Sequence, residues 1–214
     1  MARRKAVDRW IKHHLKDAFV RQSWRSGYRS RAVFKLQEID DRDRLLDGVK
    51  RVVDLGASPG SWSQLVAQRV GTRGGVLLAV DRLPMEPIEN VQFILGDVSS
   101  WPVREAIAKR LGSRGAELIL SDMAPSLTGI SAIDQAQGMV LAMSVLDLCE
   151  RLLAPQGTLL IKVFQGEDYV GFLGRVKEVF GNVQVRKPRA SRAQSREVYL
   201  LGRGYRRPSG GSNP

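Results

Sequence analysis

Four polar side chains stand among apolar or strand-like neighbours. They are Lys35 in Arg31-Ala32-Val33-Phe34-Lys35-Leu36, Asp122 in Leu120-Ser121-Asp122-Met123-Ala124-Pro125, Lys162 in Leu160-Ile161-Lys162-Val163-Phe164, and Glu197 in Ser195-Arg196-Glu197-Val198-Tyr199. Lys162 is the most unusual, because a lysine inside a buried strand is costly unless paired. A structural ion pair is one reading. The sharper one is a lysine tuned by its neighbours for proton chemistry. A second set of residues suits a bound nucleoside. In Val53-Asp54-Leu55-Gly56-Ala57-Ser58-Pro59-Gly60-Ser61-Trp62 a strand runs through a glycine-containing turn into a helix. Gly56 and Gly60 let backbone approach a ligand closely. The spacing G-x-x-x-G with Pro59 inside is neither the dinucleotide fingerprint nor a Walker loop, so a pyrophosphate ligand is disfavoured. The next strand ends in Asp81, placed for ribose hydroxyls, and a third in Asp97, placed for an adenine amine. Either acid alone could equally cap a turn. Three sites at three consecutive strand ends favour a nucleoside without a diphosphate, and S-adenosylmethionine has that form.

These residues require a frame. Helices are expected at residues 7–20 and 30–44, with Ser30 as cap, and at 59–70 with Pro59 in the first turn. Further helices are expected at 101–111, 131–153 and 169–180. Strands are expected at 51–56, 76–81, 91–95, 117–121, 158–164, 183–187 and 197–201, with residues 154–157 as the turn that ends the long helix. The alternation indicates an open, mostly parallel α/β sheet with helices on both faces. The last two strands form a hairpin that places one antiparallel strand in the sheet.

The net charge of +12 is concentrated at the ends. Residues 1–31 hold ten Lys/Arg against two acids and residues 184–214 hold eight against one, so the middle is slightly acidic. This suggests a polyanion-binding surface built from the termini. In the first segment Trp24 and Tyr28 are interleaved with Arg21, Arg25, Arg29 and Arg31, a pattern suited to stacking on bases and pairing with phosphates. We therefore divide the chain into a basic RNA-binding extension (1–29), a catalytic domain (30–203) and a disordered basic tail (204–214). Cys149 is the sole cysteine and reads as a core residue, which excludes an internal disulfide and a cysteine metal cluster. No metal site is expected, and His13 and His14 read as facing water or RNA. The absence of an apolar leader or membrane-length run suggests a cytoplasmic protein without membrane contact. Nothing demands more than a monomer.

The segments 30–36, 53–60, 121–125, 162–166 and 191–199, in that order, make the chain resemble the FtsJ-like 2′-O-methyltransferases, and within them the bacterial branch acting on large-subunit ribosomal RNA. The resemblance runs from about Arg29 to Leu201. It implies a Rossmann-like class I S-adenosylmethionine-dependent methyltransferase with a seven-stranded sheet. The family's Lys-Asp-Lys-Glu tetrad falls on Lys35, Asp122, Lys162 and Glu197. Its cofactor contacts fall on Gly60, Trp62, Asp81, Asp97 and Asp122, beside which Asp54 and Gly56 complete the expected cofactor loop. Ser58 and Ser61 replace the usual alanine and glycine, both small. The implied reaction is 2′-O-methylation of a uridine ribose in ribosomal RNA, with the assembled large subunit as expected partner.

In that reaction the hydroxyl loses its proton as it attacks a methyl carbon in line with the departing sulfur. Lys162 is the expected general base. A base must be neutral; Lys35 and a sulfonium would favour that, and Asp122 and Glu197 would oppose it. A second role stays open, in which Lys162 holds and polarises the hydroxyl while alignment supplies the acceleration. Relatives acting on transfer RNA or a messenger cap would share this chemistry. A non-catalytic assembly factor is a different class, but it should have lost tetrad members or the cofactor loop. A nucleotide-dependent oxidoreductase fails at the glycine spacing.

Overall fold

The computed structural model describes residues 17–70, 75–125, 128–192 and 194–207. Seven strands form one sheet: β1 (Arg51–Leu55), β2 (Val76–Asp81), β3 (Gln92–Leu95), β4 (Ala116–Ser121), β5 (Leu153–Phe164), β6 (Phe180–Arg186) and β7 (Glu197–Tyr205). Their spatial order is β3-β2-β1-β4-β5-β7-β6. Strands β1 to β5 pair in parallel, and β7 runs antiparallel to both neighbours, β5 and β6, as the late hairpin required.

Six helices flank the sheet among the described residues: α1 (Ala18–Arg25), α2 (Val33–Asp43), α3 (Ser61–Val70), α4 (Trp101–Leu111), α5 (Ser131–Leu152) and α6 (Tyr169–Val179). The central strands are apolar on both faces, and their two-residue period divides them between two helical layers. Val52, Leu77, Leu118, Leu120 and Leu160 pack with Leu36 and Ile39 of α2 and Leu65 and Val66 of α3. Val53, Leu78, Ile119 and Ile161 pack with Ile107 of α4, Val145 and Cys149 of α5 and Val176 of α6. The order of the strands reverses between β1 and β4. A doubly wound sheet opens its ligand crevice at that point, outside the carboxyl ends.

The structure corrects several boundaries. Helix α3 starts at Ser61, not Pro59, because Gly60 adopts φ +110°, which no helix accepts. Helix α2 starts at Val33, and Ser30 does not cap it; its hydroxyl shares a hydrogen bond with the Ser61 hydroxyl at 2.7 Å. Residues 154–157 are not a turn outside the sheet. Leu153 is already extended and pairs with Ala116, and the chain bulges before Thr158 pairs with Leu118, with Gln156 in the left-handed region. Helix α1 extends to Arg25, beyond the expected end at residue 20, while residues 7–16 of the expected helix, with His13 and His14, lie outside the described residues. Gly204 and Tyr205, assigned above to the tail, belong to β7, and Tyr205 is buried. Residues 208–214 lie outside the described set. No helix among the described residues is long and apolar enough to cross a membrane.

Candidate active site

Lys162 and Tyr199 are direct partners across β5 and β7, and Glu197 sits two residues before Tyr199 on the same face. That face is the one covered by α2 and α3, so Lys35 of α2 reaches it from above. Asp122 enters from the neighbouring strand, as the residue after β4.

The four charged groups form two pairs. Lys162 Nζ lies 2.9 Å from Asp122 Oδ1 and donates to the Asp122 carbonyl at 2.5 Å. Lys35 Nζ lies 2.9 Å from Glu197 Oε1. Tyr199, which the sequence reading did not single out, joins them: its hydroxyl donates to Asp122 Oδ1 at 2.6 Å, and Lys35 Nζ stands 5.7 Å from its ring centre. The two-residue step from Glu197 was the available signal, because it places both side chains on one face. Only 7% of the Lys162 side chain is exposed, so its pairing is obligatory.

Burial pushes the Asp122 carboxyl up, but Lys162, Lys35 and the Tyr199 hydroxyl outweigh it and hold Asp122 below the usual carboxylate range. Glu197 is likewise held low: burial opposes, and Lys35 prevails. Burial, with Asp122 and Glu197 nearby, raises Tyr199 well above a normal phenol, so its hydroxyl remains a donor. The result is two ionised carboxylates, each fixed against one lysine.

A cleft of about 590 Å³ opens beside these pairs at the strand ends, bounded by Gly56, Ser58, Asp81, Asp97, Asp122 and Met123 among others. Gly56 is required here: it has φ +76°, and a side chain would meet Met123 Cγ at 2.5 Å. Asp81 and Asp97 both line the cleft and both hold turns. Asp81 accepts from the Ser58 and Leu83 amides at 2.9 and 2.8 Å, and Asp97 accepts from the amide and hydroxyl of Ser99. The two readings of these acids are thus compatible, since each carboxylate keeps lone pairs that can accept from a ligand. The Ser99 donors keep Asp97 below the usual carboxylate range.

Three expected cofactor residues do not border the cleft. Asp54 is fully buried beneath it, with one oxygen accepting from Ser63 Oγ at 2.7 Å and the other unpartnered. Burial, with Asp122 and Asp81 nearby, raises it to about 7. Trp62 is buried too, donating its indole N–H to the Ala32 carbonyl at 2.7 Å and packing 5.9 Å from the Tyr199 ring. At Gly60 a side chain would strike Met85, Ile88 and Arg29.

The expected RNA-binding set divides as well. Arg21, Trp24 and Arg25 are exposed on α1. Tyr28 donates to Gln68 at 2.9 Å and packs edge-on against Phe34. Arg29 donates to three backbone carbonyls. Arg31 pairs with Asp17 and donates to the Ala190 carbonyl, and burial together with Arg192 lowers its pKa. Local sequence could not separate these roles, because the partners of Arg29 and Arg31 are 30 or more residues away, save Asp17, the N-cap of α1. Among the described residues no group of His, Cys, Asp and Glu could hold a metal ion. Cys149 is buried, and burial pushes its thiol up.

The family model for the FtsJ-like methyltransferases matches residues 28–205. The chain is 50% identical, over 94% of its length and 98% of the relative's, to a protein of Azoarcus sp. named ribosomal RNA large subunit methyltransferase E. A protein of the same name from Cellvibrio japonicus is 47% identical over 96% of this chain and 97% of its own. Among solved structures, a ribosomal RNA methyltransferase (so described provisionally) from Plasmodium falciparum superposes with a TM-score of 0.76 at 29% identity, covering 83% of this chain and 98% of that one.

Proposed function

The chain belongs to the FtsJ-like methyltransferase family, and from that premise we propose that it methylates a ribose 2′-hydroxyl of a uridine in large-subunit ribosomal RNA, on the assembled subunit, with S-adenosylmethionine as donor. The observation that carries this reading is the pair of lysine–carboxylate contacts gathered around Tyr199 at the edge of the cleft.

The cleft suits that donor. It has room for a nucleoside with an amino-acid tail, a backbone wall at Gly56 where close approach is possible, and carboxylates at Asp81 and Asp97 that accept from hydroxyl and amino groups. Asp122 lies between the cleft and the lysines, where its negative charge favours a cationic ligand. When bound, S-adenosylmethionine supplies the methyl carbon and the departing sulfur.

The remaining steps belong to the chain. Lys162 Nζ holds the target hydroxyl and accepts its proton as the oxygen attacks. Asp122 fixes Lys162 through two contacts and is itself fixed by Tyr199, so the nitrogen has one defined position. Lys35, held by Glu197, supplies a second cation that stabilises negative charge on the oxygen. Arg21, Trp24 and Arg25 form the RNA-facing surface, with the indole as a stacking platform. Large-subunit ribosomal RNA as substrate is supported by the names of the bacterial relatives.

The test is methyl transfer from labelled S-adenosylmethionine to large subunits lacking 2′-O-methylation, with transfer RNA and capped RNA in parallel. Label on a single uridine ribose of the subunit is expected. Label only on transfer RNA or capped RNA would move the substrate, and no label on any RNA would overturn the enzymatic reading.

A further inference from the structure

Arg29 lies in the bend between α1 and α2, half-buried, and its guanidinium joins two loops distant in sequence. Nη1 donates to the Pro59 carbonyl at 3.0 Å and to the Glu86 carbonyl at 2.7 Å, and Nη2 donates to the Pro87 carbonyl at 2.9 Å. Pro59 belongs to the loop after β1 that carries Gly56 and Ser58. Glu86 and Pro87 belong to the long connection that follows Asp81, the last residue of β2, and begins with Arg82 and Leu83. These two loops supply one side of the cleft.

The surroundings are built for this contact. A side chain at Gly60 would come within 2.9 Å of Arg29 Nη1, 2.7 Å of Met85 Sδ and 2.8 Å of Ile88 Cδ1, so the bare glycine is what lets the guanidinium pass between the loops. Arg29 is anchored in turn. Its own amide donates to Gln64 Oε1 at 2.9 Å, Gln64 Nε2 donates to the Gly27 carbonyl at 3.1 Å, and the Tyr28 hydroxyl donates to Gln68 Oε1 at 2.9 Å. All of these glutamines lie on α3, the helix that begins at the cofactor loop. An arginine kept for phosphate would leave its fork open to solvent; this one spends three donors on carbonyls.

We infer that Arg29 is a positioning residue for the cofactor cleft, a staple that holds the 58–60 loop against the 84–88 loop and so fixes Ser58 and Asp81 for ligand. The inference rests on the proposed S-adenosylmethionine site. Without the staple the 84–88 connection, which contains neither helix nor strand, must be ordered by the ligand itself, and that ordering is subtracted from affinity.

The experiment is titration of the full-length protein with S-adenosylhomocysteine in the absence of RNA, followed by steady-state methyl transfer to large subunits. For Arg29→Ala the expected results are a cofactor Kd and KM raised about tenfold, with kcat and the KM for RNA within about twofold. Arg29→Lys, which can reach one carbonyl but not three, is expected to fall between, and it decides the question if the alanine variant does not fold. A cofactor Kd within about twofold of wild type in the folded variants would overturn the staple. So would an unchanged Kd with a raised RNA KM and an altered salt dependence, which would make Arg29 a phosphate contact. Failure of the wild-type protein to bind S-adenosylhomocysteine would instead overturn the function on which the staple rests.

Discussion

Replacing Lys162 separates its two candidate roles. Its Nζ makes two contacts to Asp122, at 2.9 Å to the carboxylate and 2.5 Å to the carbonyl, and the side chain is almost fully enclosed. Lys162→Met keeps the stem and removes the amine. If the amine takes the proton, kcat should fall by about 10²- to 10⁴-fold, a loss of about 3–5.5 kcal/mol of transition-state stabilisation. The cost in stability should be smaller. Breaking a buried pair commonly costs about 3–5 kcal/mol because an uncompensated charge remains. Here Asp122 retains the Tyr199 hydroxyl at 2.6 Å and the field of Lys35, so about 1–3 kcal/mol is expected. Lys162→Arg is the sharper variant, because a guanidinium keeps the charge but does not release its proton. Single-turnover methyl transfer to large subunits, at saturating donor, measures the chemical step for all three proteins. Loss in both variants, with the Kd for S-adenosylhomocysteine within about threefold of wild type, is the expected pattern. Activity of Lys162→Arg within about tenfold of wild type would refute proton abstraction and leave only a charge that holds the hydroxyl.

Other perturbations test the surrounding frame. Asp54 is raised to about 7, so the native state binds a proton that the unfolded chain releases near pH 4; this contribution to stability is present below about pH 4 and is lost as pH rises toward 7. Asp54→Asn should flatten that decline, which amounts to about 4 kcal/mol at most, and equal Tm differences between pH 5 and pH 8 in both proteins would refute it. Asp122 and Glu197, held low, act in the opposite sense, stabilising above about pH 4 and losing that effect as pH falls further. Gly56→Ala places a Cβ 2.5 Å from Met123 Cγ at positive φ, so a stability loss of about 1–3 kcal/mol and abolished binding of S-adenosylhomocysteine are expected in calorimetry. Trp24→Ala removes an indole that is 57% exposed; the KM for RNA should rise about fivefold or more with Tm unchanged, as loss of one stacked base of about 1–3 kcal/mol requires, and an unchanged KM would remove the stacking platform.

The sequence by itself pointed to the sheet and to the residues proposed to carry the chemistry. The short, mostly apolar runs at 51–56, 76–81 and 117–121, bounded by turn residues, read as buried strands, and the helices between them favour parallel neighbours. Lys35 and Lys162 stood out because each interrupts an apolar stretch, and Asp122 and Glu197 because each borders one; the family resemblance grouped the four. Tertiary structure decided which of these residues meet. The pairing of Lys162 with Asp122 and of Lys35 with Glu197 depends on strand order and on the register of β5 against β7, neither of which is encoded in local spacing. It also decided what borders the cleft. Asp54 and Trp62 lie in the same motif as Gly56, yet strand alternation and the start of α3 turn them beneath the floor while Gly56 faces Met123 at its edge. The arginines make the same point. Arg21 and Arg29 have one chemistry and stand eight residues apart. One points to solvent from α1 and the other is bound by carbonyls 30 to 58 residues away, because a donor's role is set by the acceptors that the fold brings to it.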